Sequence, residues 1–143
     1  MTPEERFSRA LHSTARQWRV ALDARLKDLG VSQAGWMTIA LVAKADTPPS
    51  QGELATQLSV EPATMVAMID RLVKAGLIER VASTSDRRIK HIHLTAAGKG
   101  ISDEVHVKAQ AFRMDILRGI DTEAMDRFSE LLEQIQKRIE TSS

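Results

Sequence analysis

The chain has 143 residues, 43% of them hydrophobic and 27% charged, so it is long enough to bury the core of one globular domain and too apolar to be disordered. It contains no cysteine, which excludes disulfides, zinc–thiolate sites and thiol-based redox sensing. No apolar run approaches the roughly 20 residues that span a membrane, and the charged start MTPEERFSRA is unlike a signal peptide, so we expect a cytoplasmic protein.

The first predicted element is a long helix that ends at Gly30, because glycine readily terminates helices. Its apolar residues recur every three or four positions, close to the spacing of a coiled-coil seam. They are Phe7, Leu11, Ala15, Trp18, Leu22, Leu26 and Leu29. One chain of this size does not easily cover so long an apolar stripe, so the pattern predicts self-association.

Two shorter helices are predicted next. Ser32 is suited to cap the second helix, which carries Trp36 on its apolar side, and the two prolines after Thr47 break the chain beyond it. Ser50 and Glu53 have the S-x-x-E spacing of a capping box. This spacing predicts that a third helix begins directly after Ser50.

A fourth helix is predicted from Pro62 to about Ala75, since proline favours the first helical position and Gly76 follows the end. The face expected to be buried carries Pro62, Met65, Val66, Ile69, Leu72 and Val73. The other face carries Thr64, Ala67, Met68, Arg71 and Ala75. This face has small groups, methyls and an arginine, and it has no acid at its centre. Such a composition is unusual for a helix face that meets only solvent.

A β-hairpin is predicted over residues 78–94, with its turn at residues 83–86. The surrounding segment, residues 71–99, contains seven Lys or Arg and two acidic residues, a net charge of +5 in a chain whose net charge is +1. A basic patch on an otherwise acidic body suggests a polyanionic partner. A solvated charged loop would have the same composition and remains the alternative.

Two more helices complete the predicted fold. Thr95 is placed to cap the fifth helix, Gly119 to end it, and Asp121 to cap the sixth. The sixth helix has an apolar stripe of Met125, Phe128, Leu132, Ile135 and Ile139. We therefore expect a mainly α fold of six helices with a small β-hairpin. The third helix, the fourth helix and the hairpin together predict a winged helix-turn-helix.

In a helix-turn-helix the second short helix enters the major groove of DNA. Thr64, Ala67 and Met68 would then meet thymine methyls and base edges, and Arg71 would reach a base or a phosphate. Alternatively, Ala67 and Met68 pack against a neighbouring helix, as methionines in helices often do.

The hairpin tip, Asp86-Arg87-Arg88, would lie beside the DNA backbone. We expect Arg87 to enter the minor groove, where the negative potential is concentrated, and Arg88 to contact a phosphate or brace the tip. Asp86 would pair with an arginine and fix the geometry of the tip. The alternative is a solvated turn with a weak ion pair.

Four motifs, taken as a set, resemble the MarR family of bacterial transcription regulators over essentially the whole chain. They are QLS at residues 57–59, DRLVKAGLI at 70–78, DRR at 86–88 and LTAAG at 94–98. Residues 17–19, 25–27 and 32–33, with Asp23 and Trp36, look more narrowly like the SlyA branch. The resemblance implies an intertwined homodimer that binds a pseudo-palindromic operator in double-stranded DNA.

The resemblance also divides the chain by role. Residues 1–143 would form one MarR-type domain, with dimerisation helices at 1–30 and 100–143 and a DNA-binding lobe at 31–98. The implied DNA-binding residues are Ser50, Gln51, Thr64, Ala67, Met68, Arg71, Ser85, Asp86, Arg87 and Arg88. SlyA-type proteins often carry a basic residue where this chain has Ala67, so we expect greater dependence on methyl contacts and DNA shape.

MarR-type dimers commonly bind small aromatic acids, and the resemblance implies such a ligand here. Its binding residues would be Arg16, Arg19, Trp36, Met37, Ala40 and Ala63. A planar guanidinium suits a carboxylate, so Arg16 and Arg19 would meet the acid, and Trp36 would form a pocket wall. Ala40 stands where relatives often have histidine, which predicts an altered pocket or a different ligand. Alternatively, both arginines are surface charges and Trp36 belongs to the core.

The remaining sequence features argue against other classes of protein. His91 and His93 would share a strand face, but the sequence offers no further metal ligands nearby, so we predict no metal and no cofactor. It also offers no nucleophile–base pattern or glycine-rich phosphate loop, so we do not expect an enzyme. A winged helix that contacts proteins without binding DNA is the alternative, but it would have no need of a basic tip.

Overall fold

A computed structural model of the chain describes residues 1–142, which form six α-helices and one two-stranded sheet. The helices are α1 (Pro3–Arg25), α2 (Gln33–Lys44), α3 (Gln51–Leu58), α4 (Pro62–Lys74), α5 (Ala96–Ile116) and α6 (Thr122–Ser142), with a 3₁₀ turn at Lys27–Leu29. The strands are β1 (Ile78–Ala82) and β2 (Lys90–Leu94). The element order is that of the predicted winged helix-turn-helix.

The helices begin and end where local chemistry favours it. The hydroxyl of Ser32 accepts a hydrogen bond from the N–H of Gly35, and the hydroxyl of Ser50 accepts one from the N–H of Glu53, each over 3.1 Å. Gly30 and Gly76 follow helical segments with φ of 70° and 77°, a left-handed conformation that glycine adopts without steric cost. The predicted caps at Ser32 and Ser50 are therefore confirmed.

The hairpin spans the predicted residues, but its second strand is shorter than predicted. β1 and β2 pair antiparallel from Ile78 opposite Leu94 to Ala82 opposite Lys90. Residues 87–89 belong to the connecting turn and not to the second strand, so the two arginines of the tip project from a loop. On its other side, β2 receives the segment before α3, because the N–H of Ile92 donates to the carbonyl of Pro49 over 2.8 Å.

One apolar core holds together the helices and strands of the winged helix-turn-helix. It is built from Ile39, Val42, Leu54, Ala55, Met65, Ile69, Leu72, Ile78 and Ile92, which come from α2, α3, α4, β1 and β2. The face of α4 that enters this core is narrower than predicted. Val66 and Val73 were expected to be buried, but their exposed fractions are 40% and 36%. Met68, expected on the outer face, is half-buried and packs against the core.

A tight joint links the end of α4 to the start of α5. The Thr95 hydroxyl donates to the carbonyl of Gly76 over 2.6 Å and accepts from the N–H of Gly98 over 3.1 Å. The N–H of Thr95 donates to the carbonyl of Leu77 over 3.1 Å. A Cβ atom on Gly98 would overlap the Leu77 carbonyl oxygen and lie 2.9 Å from the carbonyl carbon. The L-T-x-x-G motif is therefore explained by close backbone packing.

The long helices leave apolar side chains in solvent. The chain divides into two compact units, Met1–Gln110 and the remainder from Ala111. In the first unit, Val20 of α1 and Val107 of α5 are 62% and 66% exposed. In the second, Phe128 and Ile139 of α6 are 50% and 63% exposed. Among residues 1–142, none of the helices is both long enough and apolar enough to cross a membrane.

Candidate nucleic-acid interface

The exposed side of α4 is the first part of the candidate interface. Met65, Ile69 and Leu72 are buried, so the opposite side of the helix faces solvent. That side presents Thr64, Ala67 and Arg71, three of the residues predicted to contact DNA. Ala63, predicted to border a ligand pocket, is also exposed and lies one turn before Ala67. The exposed side therefore carries methyl groups in its first half and the charged residues Asp70, Arg71 and Lys74 towards the C-terminal end.

The wing tip is the second part, and a single carboxylate organises it. Asp86 Oδ1 accepts hydrogen bonds from the backbone N–H of Arg88 over 3.0 Å and from its Nε over 3.2 Å, while Oδ2 accepts from Nη2 over 3.2 Å. The side-chain bond from Arg88, followed by the backbone bond, lowers the pKa of Asp86 below its ordinary value. Asp86 therefore stays ionised at neutral pH and pairs with Arg88, whose side chain is nevertheless 91% exposed.

Arg87 differs from its neighbour in having no such partner. It is exposed at the turn, and its side chain makes no hydrogen bond or ion pair with the residues of 1–142. Ser85 is exposed too, and its hydroxyl lies 3.0 Å from that of Ser83. The sequence-based expectation that Asp86 pairs with an arginine agrees with this geometry. Both arginines of the tip are exposed, and Arg87 is the one whose side chain has no protein partner among residues 1–142.

The start of α3 contributes a third group of polar side chains. Ser50 is half-buried, and its hydroxyl is engaged by the cap on Glu53. Gln51, also half-buried, accepts a hydrogen bond at Oε1 from Arg80 Nε over 2.6 Å. Arg80 Nη2 donates to Asp70 Oδ1 of α4 over 2.6 Å and to the carbonyl of Val66 over 3.4 Å. Arg80 of β1 therefore connects α3, α4 and the wing.

The predicted ligand residues divide into two groups. Arg16 and Arg19 line a cavity of about 430 Å³ together with Leu11, His12, Ala15, Val20 and Gln33. Gln33 Nε2 donates to the backbone carbonyl of Arg19 over 3.4 Å, which ties the start of α2 to α1. The lining has three side chains able to carry positive charge and no acidic residue. An organic anion is the ligand class that such a lining favours.

Trp36, Met37, Ala40 and Ala63 do not line this cavity. Trp36 is 7% exposed and packs with Leu26 and Val105, and Met37 lies against the same cluster. The indole N–H of Trp36 donates to Asp23 Oδ1 over 2.8 Å. Trp36 thus has a place in the core, the alternative considered from the sequence. Ala40 is half-buried.

Comparison with known proteins identifies the family to which the chain is similar. Residues 32–90 match the sequence pattern of the MarR family. The transcriptional regulator PA3341 is 36% identical, and the alignment covers 94% of this chain and 98% of that chain with a TM-score of 0.88.

This chain belongs to the MarR family of transcriptional regulators. Two more distant structures share the fold. A mutant of E. coli MarR complexed with operator DNA is 23% identical, with 90% of this chain and 91% of that chain covered and a TM-score of 0.78. CouR from Rhodococcus jostii RHA1, bound to p-coumaroyl-CoA, is 22% identical, with 88% of each chain covered and a TM-score of 0.77.

Several residues at these MarR-type sites were not predicted from the sequence. Arg80 and Asp70 were noted only as part of a basic segment and a motif, and their contact joins residues 10 apart on different elements. His12 was given no role from the sequence, yet it lines the cavity with Arg16 and Arg19. Its spacing of four from Arg16 on a predicted helix was the available signal. Within residues 1–142, the His, Asp and Glu side chains form no cluster of three suited to a metal ion.

Proposed function

We propose that this MarR-family regulator binds a pseudo-palindromic operator in double-stranded DNA as a cytoplasmic homodimer, and that its binding is sequence-specific. The observation that carries the proposal is the wing tip. The hydrogen bonds between Asp86 and Arg88 brace the turn, while Arg87 is exposed and has no side-chain partner among residues 1–142. A cation presented in this way suits the narrow minor groove, whereas a wing that only contacted solvent would need no such brace.

The exposed side of α4 supports direct reading of bases. Thr64 and Ala67 present methyl groups and a hydroxyl, which match thymine methyls and base-edge acceptors in the major groove. Arg71, one turn beyond Ala67 on the same side, is placed for a phosphate or a base. Met68 contributes less than the sequence suggested, because its side chain is half-buried and packs against the core.

Homodimerisation is supported by the apolar residues that the long helices leave exposed. Side chains such as Val107, Phe128 and Ile139 each expose half or more of their surface. Burying apolar area of this kind is the main driving force for association. We assign α1, α5 and α6 to the dimer interface. Two lobes would then reach successive major grooves roughly 34 Å apart on one face of the duplex.

We further propose that a small aromatic acid modulates DNA binding from the cavity on α1. Support comes from the guanidinium groups of Arg16 and Arg19, which line the cavity beside the apolar side chains of Leu11, Ala15 and Val20 and without a competing acid. CouR, a distant structural neighbour, was solved with an aromatic thioester bound. The resemblance to the SlyA branch, carried in part by residues 17–19 and 32–33, makes a carboxylate of the salicylate class the first ligand to test.

The operator is best found by selecting bound sequences from random duplex DNA and measuring their affinity by fluorescence anisotropy. The proposal predicts enrichment of a palindrome and an affinity that falls steeply with salt, because bound counterions are released from the DNA. Enrichment of no sequence, with equally weak binding to every duplex, would favour a winged helix that contacts proteins instead.

The ligand requires its own test. Salicylate should change tryptophan fluorescence and weaken binding to the selected duplex in the wild type but not in Arg16→Ala/Arg19→Ala. Lys27→Ala, which also removes a cation from the region after α1 but does not line the cavity, is the control. No change in fluorescence or DNA affinity with salicylate would remove this ligand class.

A further inference from the structure

Arg80 occupies an unusual position among the basic residues of the lobe. It extends from β1, and its side chain is 26% exposed, whereas the carboxylate it meets on Asp70 is 60% exposed. Its Nε and Nη2 atoms are both committed to protein acceptors, on Gln51 and Asp70. Of its five N–H donors, the one on Nε and those on Nη2 are directed at protein acceptors, which leaves the two on Nη1.

Each partner of Arg80 belongs to an element of the proposed interface. Gln51 is the first residue of α3, and Asp70 lies in the second half of α4. An arginine only donates hydrogen bonds, so Gln51 must turn its carbonyl oxygen towards Arg80. The amide NH₂ group of Gln51 is then directed away from Arg80, as a donor for another acceptor.

Arg80 also compensates an acid on the recognition helix. Asp70 lies on the exposed part of α4, between the core residues Ile69 and Leu72 and beside Arg71. Without a cation beside it, its carboxylate would repel the phosphates of a bound duplex. The 2.6 Å contact with Arg80 neutralises that charge where DNA would approach.

We propose that Arg80 is a positioning residue for DNA binding: it neutralises Asp70 and directs the amide of Gln51 towards a backbone phosphate, without contacting DNA itself. The inference rests on the proposed DNA-binding function and adds a role for a residue outside the predicted contact set. It also explains why a basic wing strand carries an arginine whose Nε and Nη2 atoms bind protein acceptors.

The first measurement compares two substitutions of Arg80 by anisotropy on the selected duplex. Arg80→Met should weaken binding about tenfold or more, comparable to loss of a direct contact. Arg80→Lys should lose less, because an ammonium still neutralises Asp70 but cannot make both bonds of the planar guanidinium. Thermal unfolding of each variant checks that the lobe is folded.

The decisive comparison uses two double variants with the same net charge. Arg80→Met/Asp70→Asn should recover most of the lost affinity, because the uncompensated carboxylate is gone. Arg80→Met/Glu79→Gln removes an exposed acid from the neighbouring position on β1 and should recover clearly less. In the Arg80→Met background, Gln51→Ala should cost less affinity than it does in the wild type.

Three results would overturn the inference. Unchanged affinity in Arg80→Met would show that the residue is dispensable. Equal recovery in both double variants would show an effect of overall charge. No recovery in either, with a salt dependence reduced by about one phosphate contact, would make Arg80 a direct DNA ligand. If Arg80→Met does not fold, Arg80→Gln with and without Asp70→Asn decides the same question, because glutamine also leaves Asp70 without a cation. Failure of the wild type to bind any duplex would instead refute the proposed function.

Discussion

The joint between the wing and α5 provides the sharpest test of the fold. Gly98 lies in the first turn of α5, and a methyl group there would overlap the carbonyl oxygen of Leu77. The obstacle is backbone, so no flexible side chain can move aside. Gly98→Ala must therefore push the start of α5 away from the segment that joins α4 to β1. That displacement would strain the bonds from Thr95 to Gly76 and Leu77.

The magnitude follows from three contributions. Overpacking against a fixed wall costs about 1–3 kcal/mol. Weakening the two hydrogen bonds of Thr95 costs about 1 kcal/mol each. The gain from replacing glycine by alanine in a helix is about 0.5–1 kcal/mol. We therefore expect Gly98→Ala to lower the free energy of unfolding by roughly 2–4 kcal/mol.

Gly100 provides the matched control, because it lies in the same helix and a Cβ atom there would meet nothing within 4 Å. Gly100→Ala should raise the free energy of unfolding by about 0.5–1 kcal/mol. Urea unfolding followed by circular dichroism measures both variants, at one protein concentration because association stabilises the folded chain. Equal stability of the two variants would refute the close-packing explanation of the L-T-x-x-G motif.

Three further predictions concern the interface. Arg87→Ala should weaken binding to the selected duplex by about 1–3 kcal/mol. Arg118→Ala, which removes an exposed arginine paired with Asp115, should leave the affinity unchanged. Equal affinities of the two variants would exclude the wing tip from the DNA interface. The pKa of Asp86 is lowered in the folded chain. Its contribution to stability is therefore fully present above the pKa of an unfolded Asp, which is about 4. The contribution is lost only as the pH falls through the lower pKa of the folded state. Asp86→Asn should therefore weaken DNA binding throughout about pH 5–8 without changing the pH dependence there; a new pH dependence in that range would contradict this. Phe128→Glu should give a monomer by light scattering at micromolar concentration, and a persistent dimer would exclude α6 from the interface.

The sequence predicted those features that depend on local chemistry. Ser32 and Ser50 cap helices because a side-chain oxygen satisfies a free N–H wherever a helix begins. Gly76 ends a helical segment because its left-handed conformation is accessible to glycine. Pro62 begins α4 because its missing N–H has no helical partner there. None of these effects requires knowledge of the tertiary fold.

The width of a buried helix face does depend on the tertiary fold, which explains the errors on α4. Helical periodicity places Val66 and Met68 on opposite flanks of the stripe through Met65 and Ile69, but it does not say which flank meets the core. In the structure the core lies on the side of Met68, so Val66 is exposed and its carbonyl accepts from Arg80. The contacts of Arg80 with Gln51 and Asp70 depend on the same packing.

The two acidic residues nearest the proposed DNA surface have a common role. Asp70 is bound by Arg80 over 2.6 Å, and Asp86 is bound by Arg88 over 3.2 Å. Each pair offsets the positive charge of one arginine of the basic segment. Each also fixes the geometry of one interface element, the recognition helix or the wing tip. A count of basic residues in the sequence therefore overstates the phosphates that the lobe can neutralise. The unpaired Arg87 matters more for DNA binding than the net charge of +5 over residues 71–99 suggests, because it is the cation of the tip that the protein itself does not use.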